Sequence, residues 1–157
     1  MTDTLLEVGA KAPEFTLPDQ SGNVVSLEQF AGKPVVLFFY PKASTPGCTL
    51  EARDFTAKLA EFEAAGAVVL GVSKDSVKKQ SNFAKKEELA TALLSDEDGT
   101  TCEDYGVWGE KKMYGKTFMG IARTTYLIGP DGTISAVWGK VKVEGHADEV
   151  LAAVKTL

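Results

Sequence analysis

Histidine and cysteine are nearly missing from this chain, and the shortage excludes several kinds of chemistry. One histidine and two distant cysteines do not make a zinc set, which takes three or four nitrogen, sulfur or carboxylate ligands. Two cysteines in 157 residues do not build a disulfide scaffold, so a reducing, cytoplasmic setting is expected. No apolar run approaches the roughly 20 residues that cross a bilayer. Met1 to Pro18 lacks a basic start followed by an apolar core, so no secretory signal is expected. Excess positive charge is missing too. The formal net charge of −5 argues against nucleic acid or an anionic membrane as partner. The pairs Lys85-Lys86 and Lys111-Lys112 sit among acidic neighbours and read as solvated surface. No repeat, low-complexity tract or linker interrupts the chain, so one domain over residues 1–157 is expected, burying about two-thirds of its unfolded surface.

What is present centres on Cys48. Val35-Val36-Leu37-Phe38-Phe39-Tyr40 is a short β-branched and aromatic run bounded by prolines, as in a strand covered on both faces. Pro41-Lys42-Ala43-Ser44-Thr45-Pro46-Gly47 follows, stiffened by two prolines and opened by a glycine that lets another group approach the backbone. From Cys48 onward Ala52, Phe55, Leu59 and Phe62 recur at helical spacing, with Gly66 as a stop. The cysteine is thus predicted in the first turn of a helix, where unpaired amides and the positive dipole end favour a thiolate. An inert buried thiol has no need of so rigid and polar an approach.

Elsewhere the pattern predicts a hairpin from Phe15-Thr16-Leu17 and Val24-Val25, then a short helix capped by Ser26 and Gln29. Val68 to Val72 reads as a second buried strand, and Asp75 or Ser76 caps a helix running toward Leu89. Leu93-Leu94 suggests a brief strand, Cys102 to Tyr105 a short helix, and the glycine-rich Gly106 to Gly120 irregular loop. Thr125 to Ile128 and Ile134 to Trp138 are strands joined by Gly129-Pro130-Asp131-Gly132, before a terminal helix with Ala147, Val150, Leu151 and Val154 on one face. The order β-α-β-α-β, hairpin, helix predicts an α/β chain of thioredoxin-like fold: a central mixed sheet flanked by helices on both faces, with an N-terminal hairpin extension.

Fold does not fix function. Dithiol exchange through Cys-x-x-Cys is excluded, because Thr45 stands where the first cysteine would be. A cysteine hydrolase needs a histidine held beside the sulfur by a third group; His146 is the sole candidate, at the start of the terminal helix, where a cap or surface role is commoner. Peroxide reduction fits better. A thiolate attacks one peroxide oxygen and becomes sulfenic acid. The site needs a hydroxyl to hold the peroxide, a cation to favour the thiolate and the leaving oxygen, and shelter from water. Thr45 supplies the hydroxyl, Arg123 just before a strand supplies the cation, and Pro41 and Pro46 shield without competing donors. A redox-responsive binding protein, switched by Cys48 oxidation, is the reading from another class.

The stretch Phe39-Tyr40-Pro41-Lys42-Ala43-Ser44-Thr45-Pro46-Gly47-Cys48-Thr49, containing Pro-x-x-x-Thr-x-x-Cys, resembles the peroxidatic motif of the peroxiredoxin family. Phe15-Thr16-Leu17-Pro18-Asp19, Leu93-Leu94-Ser95-Asp96, Gly106 to Lys111, Tyr114-Gly115-Lys116 and Gly120-Ile121-x-Arg123-x-Thr125 resemble its bacterioferritin comigratory protein (peroxiredoxin Q) subfamily. The resemblance implies a thiol-dependent reductase of hydrogen peroxide and organic hydroperoxides. In it Cys48 is the peroxidatic nucleophile, Thr45 and Arg123 activate it and bind peroxide, and Pro41 covers the pocket. It also implies a monomer without metal, flavin or haem, recycled by an external thiol such as thioredoxin, glutaredoxin or a small thiol. Many relatives carry a resolving cysteine five residues after the peroxidatic one or in the next helix; those places are held here by Arg53 and Ala84. Cys102 is the only other thiol, and it reads as structural, with a resolving role requiring approach of the two Cα atoms to about 7 Å. One-cysteine behaviour is expected. Trp108 and Trp138 read as packing residues, Asp96-Glu97-Asp98 as a turn before a helix, and Phe118 with Met119 as a weak apolar patch.

Overall fold

The computed structural model describes residues 5–157; residues 1–4 of the expected 1–157 unit lie outside the described residues. Strands β1 (Thr16–Pro18) and β2 (Val24–Ser26) form the N-terminal hairpin. A 3-10 turn over Leu27–Phe30 follows, in which the Ser26 amide donates to Gln29 Oε1 at 2.9 Å. Then come β3 (Val35–Phe39), α1 (Pro46–Ala64), β4 (Val68–Ser73), α2 (Val77–Glu87), β5 (Ala92–Ser95) and α3 (Thr101–Asp104). The chain continues through β6 (Trp108–Met113), β7 (Lys116–Ile121), β8 (Thr124–Ile128), β9 (Ile134–Trp138) and α4 (His146–Lys155).

The central sheet has the order β5-β4-β3-β8-β9. Strands β3, β4 and β5 run parallel, and β8 and β9 are antiparallel additions. Alternation within β3 divides the core. Val36 and Phe38 pack with Phe55 and Phe62 of α1, Phe83 of α2 and Val150 and Val154 of α4. Val35, Leu37 and Phe39 face the other way, onto Phe15, Leu17, Cys102, Tyr105 and Val107. The three longer helices therefore share one face, and the other is covered by α3 and the N-terminal segment. The two crossovers β3-α1-β4 and β4-α2-β5 step in the same direction across the sheet, and equal handedness puts both helices on one side.

Helix α1 stops as its sequence predicts. Gly66 adopts φ +84°, its amide donates to Glu63 O, and the Ala67 amide donates to Phe62 O. This double closure satisfies the last carbonyls and needs a left-handed residue at that point. Gly106 to Gly120 is not irregular. Strands β6 and β7 pair from Trp108↔Ile121 to Met113↔Lys116, turning at Tyr114 (φ 53°) and Gly115 (φ 76°). Two successive positive φ values make the tight turn whose twist matches a hairpin. No helix among the described residues is long and apolar enough to cross a membrane.

Candidate active site

Parallel strands end at the edge of a sheet where loops are free to carry chemistry, and the turn Pro41–Gly47 leaves β3 at that edge. Thr45 is the N-cap of α1, Pro46 its first helical residue and Cys48 its third. Proline suits that first position because its missing N–H would be unpaired anyway. The first intrahelical bond runs from the Thr49 amide to Thr45 O at 2.8 Å, so the amides of Gly47 and Cys48 precede the helical ladder. The Thr45 hydroxyl does not cap them. It donates to Lys42 O at 2.8 Å, which leaves its lone pairs free to accept.

Arg123 arrives from the opposite direction. It lies between β7 and β8, and Thr124 of β8 pairs with Phe39, the last residue of β3. Antiparallel pairing therefore delivers Arg123 beside the start of the cysteine turn. Its Nη2 donates to Cys48 Sγ at 3.3 Å, and its Nη1 donates to Glu51 Oε1 at 2.8 Å. A Cβ on Gly47 would lie 3.1 Å from Arg123 Nη2, so the group that needs the glycine's open side is the guanidinium. Cys48 is 1% exposed, and Pro41 and Thr45 are half-buried in the same turn.

Glu51 was not foreseen among the site residues. It is buried, and its Oε2 has no hydrogen-bond partner among the described residues. Burial raises its carboxyl to about 7, against the opposing pull of Arg123. Its position three residues after Cys48 puts both on one helix face, and that spacing is the signal that could have found it. Lys111 departs from the solvated reading of its pair. It is half-buried, and desolvation with repulsion from Arg123 lowers its ammonium below the ordinary lysine value.

His146 is a core residue instead of a surface cap. It is 3% exposed, its Nε2 lies 2.8 Å from Thr125 Oγ1, and Phe55 and Trp138 meet its ring edge-on. Burial, with repulsion from Arg123, lowers its pKa to about 4, so the ring is neutral over the physiological range. Cys102 belongs to the core on the other side of the sheet from Cys48. Its thiol is pushed strongly upward by burial and by neighbouring Asp96. Asp96 itself is fully buried and accepts from the Thr101 and Cys102 amides. Arg53 is an exposed residue near Glu87, and Ala84 packs against the α1 core. Among the described residues no group of three or more His, Cys, Asp or Glu could hold a metal ion.

A helix-borne thiol at the end of the first parallel strand of such a sheet is the arrangement of a thioredoxin-fold protein. The AhpC/TSA family signature matches residues 8–137. The putative peroxiredoxin bcp of Coxiella burnetii is 54% identical over 93% of this chain and 97% of its own. Peroxiredoxin Bcp of Escherichia coli is 49% identical, covering 96% of each. The solved structure of Xanthomonas campestris peroxiredoxin Q matches with TM-score 0.88 and 49% identity over 98% of both chains. The chain belongs to the AhpC/TSA family and, within it, to the peroxiredoxins of the Bcp (peroxiredoxin Q) type, which are thiol-dependent peroxidases.

Proposed function

We propose that Cys48 is the peroxidatic residue and that the chain reduces hydrogen peroxide and organic hydroperoxides in one-cysteine fashion. The observation that carries this reading is the 3.3 Å bond from Arg123 Nη2 to Cys48 Sγ, which sets a guanidinium donor directly against the sulfur. The Cys48 thiolate attacks the terminal oxygen of R–O–O–H. A sulfur–oxygen bond forms, the oxygen–oxygen bond breaks, and the electron pair leaves on RO⁻, which takes a proton to become ROH. Sulfur is oxidised by two electrons to sulfenic acid. Thr45 accepts the hydrogen of the bound peroxide, Arg123 stabilises charge on the departing oxygen, and Pro41 screens the pocket. A structure of the Xanthomonas campestris bacterioferritin comigratory protein with trapped intermediates and ligand addresses its alkyl peroxide reduction, which supports organic hydroperoxides as substrates here.

The sulfenic acid then meets an external thiol, which displaces water to give a mixed disulfide. A second thiol releases Cys48 and the oxidised donor. The positions of sulfur support an external donor: Cys102 is packed beyond the sheet, and Arg53 and Ala84 carry none. The reductant is thioredoxin, glutaredoxin or a small thiol, and the working form is a cytoplasmic monomer. Counting free thiols before and after one equivalent of peroxide tests the one-cysteine cycle. Loss of one thiol supports it. Loss of two, with an intramolecular bond abolished by Cys102→Ser, refutes it.

A further inference from the structure

Behind the cysteine turn runs a chain of buried polar groups that nothing in the chemistry above uses. Tyr40, the last residue before Pro41, donates its hydroxyl hydrogen to Gln80 Oε1. Gln80 Nε2 donates to Ser73 Oγ at 2.9 Å and to Leu94 O at 2.9 Å. The Ser73 hydroxyl donates to Asp75 Oδ2 at 2.7 Å. The same Asp75 Oδ2 accepts the backbone amide of Ala43, also at 2.7 Å. Tyr40, Ser73 and Gln80 are 1% exposed or less.

The direction of every bond is forced. Leu94 O and Ser73 Oγ both take a hydrogen from Gln80, so the Gln80 amide presents its oxygen to Tyr40. Reversing it would set two acceptors, Gln80 Oε1 and Leu94 O, against each other. Ser73 already accepts from Gln80, so its own hydrogen goes to Asp75. The chain therefore starts at one end of the cysteine turn, at Tyr40, and returns to its middle, at Ala43. Between Ala43 and Thr45 stands Ser44, a non-glycine residue at φ 66°. Such a conformation persists only where the surroundings over-determine it, and the bond to Ala43 lies next to it.

We infer that Asp75, oriented through Ser73 and Gln80, is a positioning residue for peroxide reduction: it clamps Ala43 so that the turn presents Thr45 to the peroxide bound at Cys48. This rests on the proposed role of Cys48 and deepens it. Sequence reasoning offered Asp75 only as a helix cap; that task falls to Ser76, whose Oγ accepts from the Lys79 amide.

A clamp on the turn affects the reaction that needs Thr45 more than one that needs only the sulfur. The test compares two rates on reduced protein: oxidation by hydrogen peroxide and alkylation by iodoacetamide. Asp75→Ala is expected to slow peroxide oxidation about ten- to a hundredfold, the range a misplacement near 1 Å produces, while alkylation changes less than about threefold. Asp75→Asn keeps an oxygen able to accept from Ala43 and Ser73, so it should retain most of the peroxide rate. Equal rates in Asp75→Ala and the parent, equal losses in both reactions, or no rescue by Asp75→Asn would overturn the inference. If Asp75→Ala does not fold, Tyr40→Phe removes the far end of the chain by one oxygen and decides the question. A several-fold loss confined to peroxide supports the clamp, and an unchanged rate sinks it. Cys48→Ser separates this inference from the reading beneath it: peroxide consumption by that variant refutes the role of Cys48 itself.

Discussion

Replacing Gly47 by alanine should raise stability and lower activity at once. Gly47 is the second residue of α1, and its φ lies outside the left-handed range, so an alanine fits the backbone. Helix propensity then favours alanine by up to about 1 kcal/mol. The added methyl would meet Arg123 Nη2 at 3.1 Å, where ordinary contacts begin at 3.4 Å. The guanidinium must yield by a few tenths of an ångström. It can do so by pivoting on its 2.8 Å bond to Glu51, which lengthens the 3.3 Å contact to Cys48. With about a hundredfold lost per ångström of misplacement, the displacement costs about four- to tenfold in the rate of peroxide reduction. Stopped-flow oxidation gives the rate, and urea denaturation the stability. An unchanged rate with raised stability would show that the position of the guanidinium is immaterial. A fall in both would show that the methyl disrupts the helix instead of moving the arginine.

Further expectations concern pH and packing. Glu51 is raised to about 7, so its contribution to stability is fully present below the ordinary glutamate value and lost as pH rises through about 7. His146 is lowered to about 4, so its contribution is present above the ordinary histidine value and lost as pH falls through about 4. The two oppose each other between these limits. Denaturation across pH 4 to 8 should show stability rising with pH in Glu51→Gln and falling with pH in His146→Gln; matching slopes in the two variants would contradict this. Cys102→Ser should leave the peroxide rate unchanged, since that thiol lies in the core on the other side of the sheet from Cys48; stopped-flow oxidation checks it, and a lost rate would implicate the distant thiol. Gly71→Ala should destabilise markedly, because its methyl would come within 2.6 Å of the Phe38 ring in the core; denaturation measures the loss, and a neutral result would contradict the packing described.

The elements that were legible in the sequence are those whose burial is one-sided or total. Val35 to Phe39 reads as a strand because both of its faces are covered, and Ala147, Val150, Leu151 and Val154 show their helix because only one face is. Strands β6 and β7 were illegible for the opposite reason. Lys112, Lys116, Thr117, Phe118 and Met119 are exposed, so no alternation marks a buried face, and Tyr114-Gly115 is a less obvious turn than Asn-Gly. Within the site, Cys48 and Thr45 announce themselves through Pro41, Pro46 and Gly47 around them. Glu51 does not, because a glutamate on a charged helix ordinarily faces water, and only the arrival of Arg123 from 72 residues away gives it a buried partner. Asp75 and His146 were hidden likewise: their partners, Ala43 and Thr125, are distant in sequence, and composition carries no trace of such pairs.

The proposed chemistry depends most on the bond between Arg123 and Cys48, and Arg123→Met measures it most directly. Methionine fills much of the same space without charge or donor. The peroxide oxidation rate of reduced protein should fall by about two to three orders of magnitude, as when one preorganised donor is removed from an active site, with the circular dichroism of the fold retained. A folded Arg123→Met protein that reacts with peroxide as fast as the parent would contradict it.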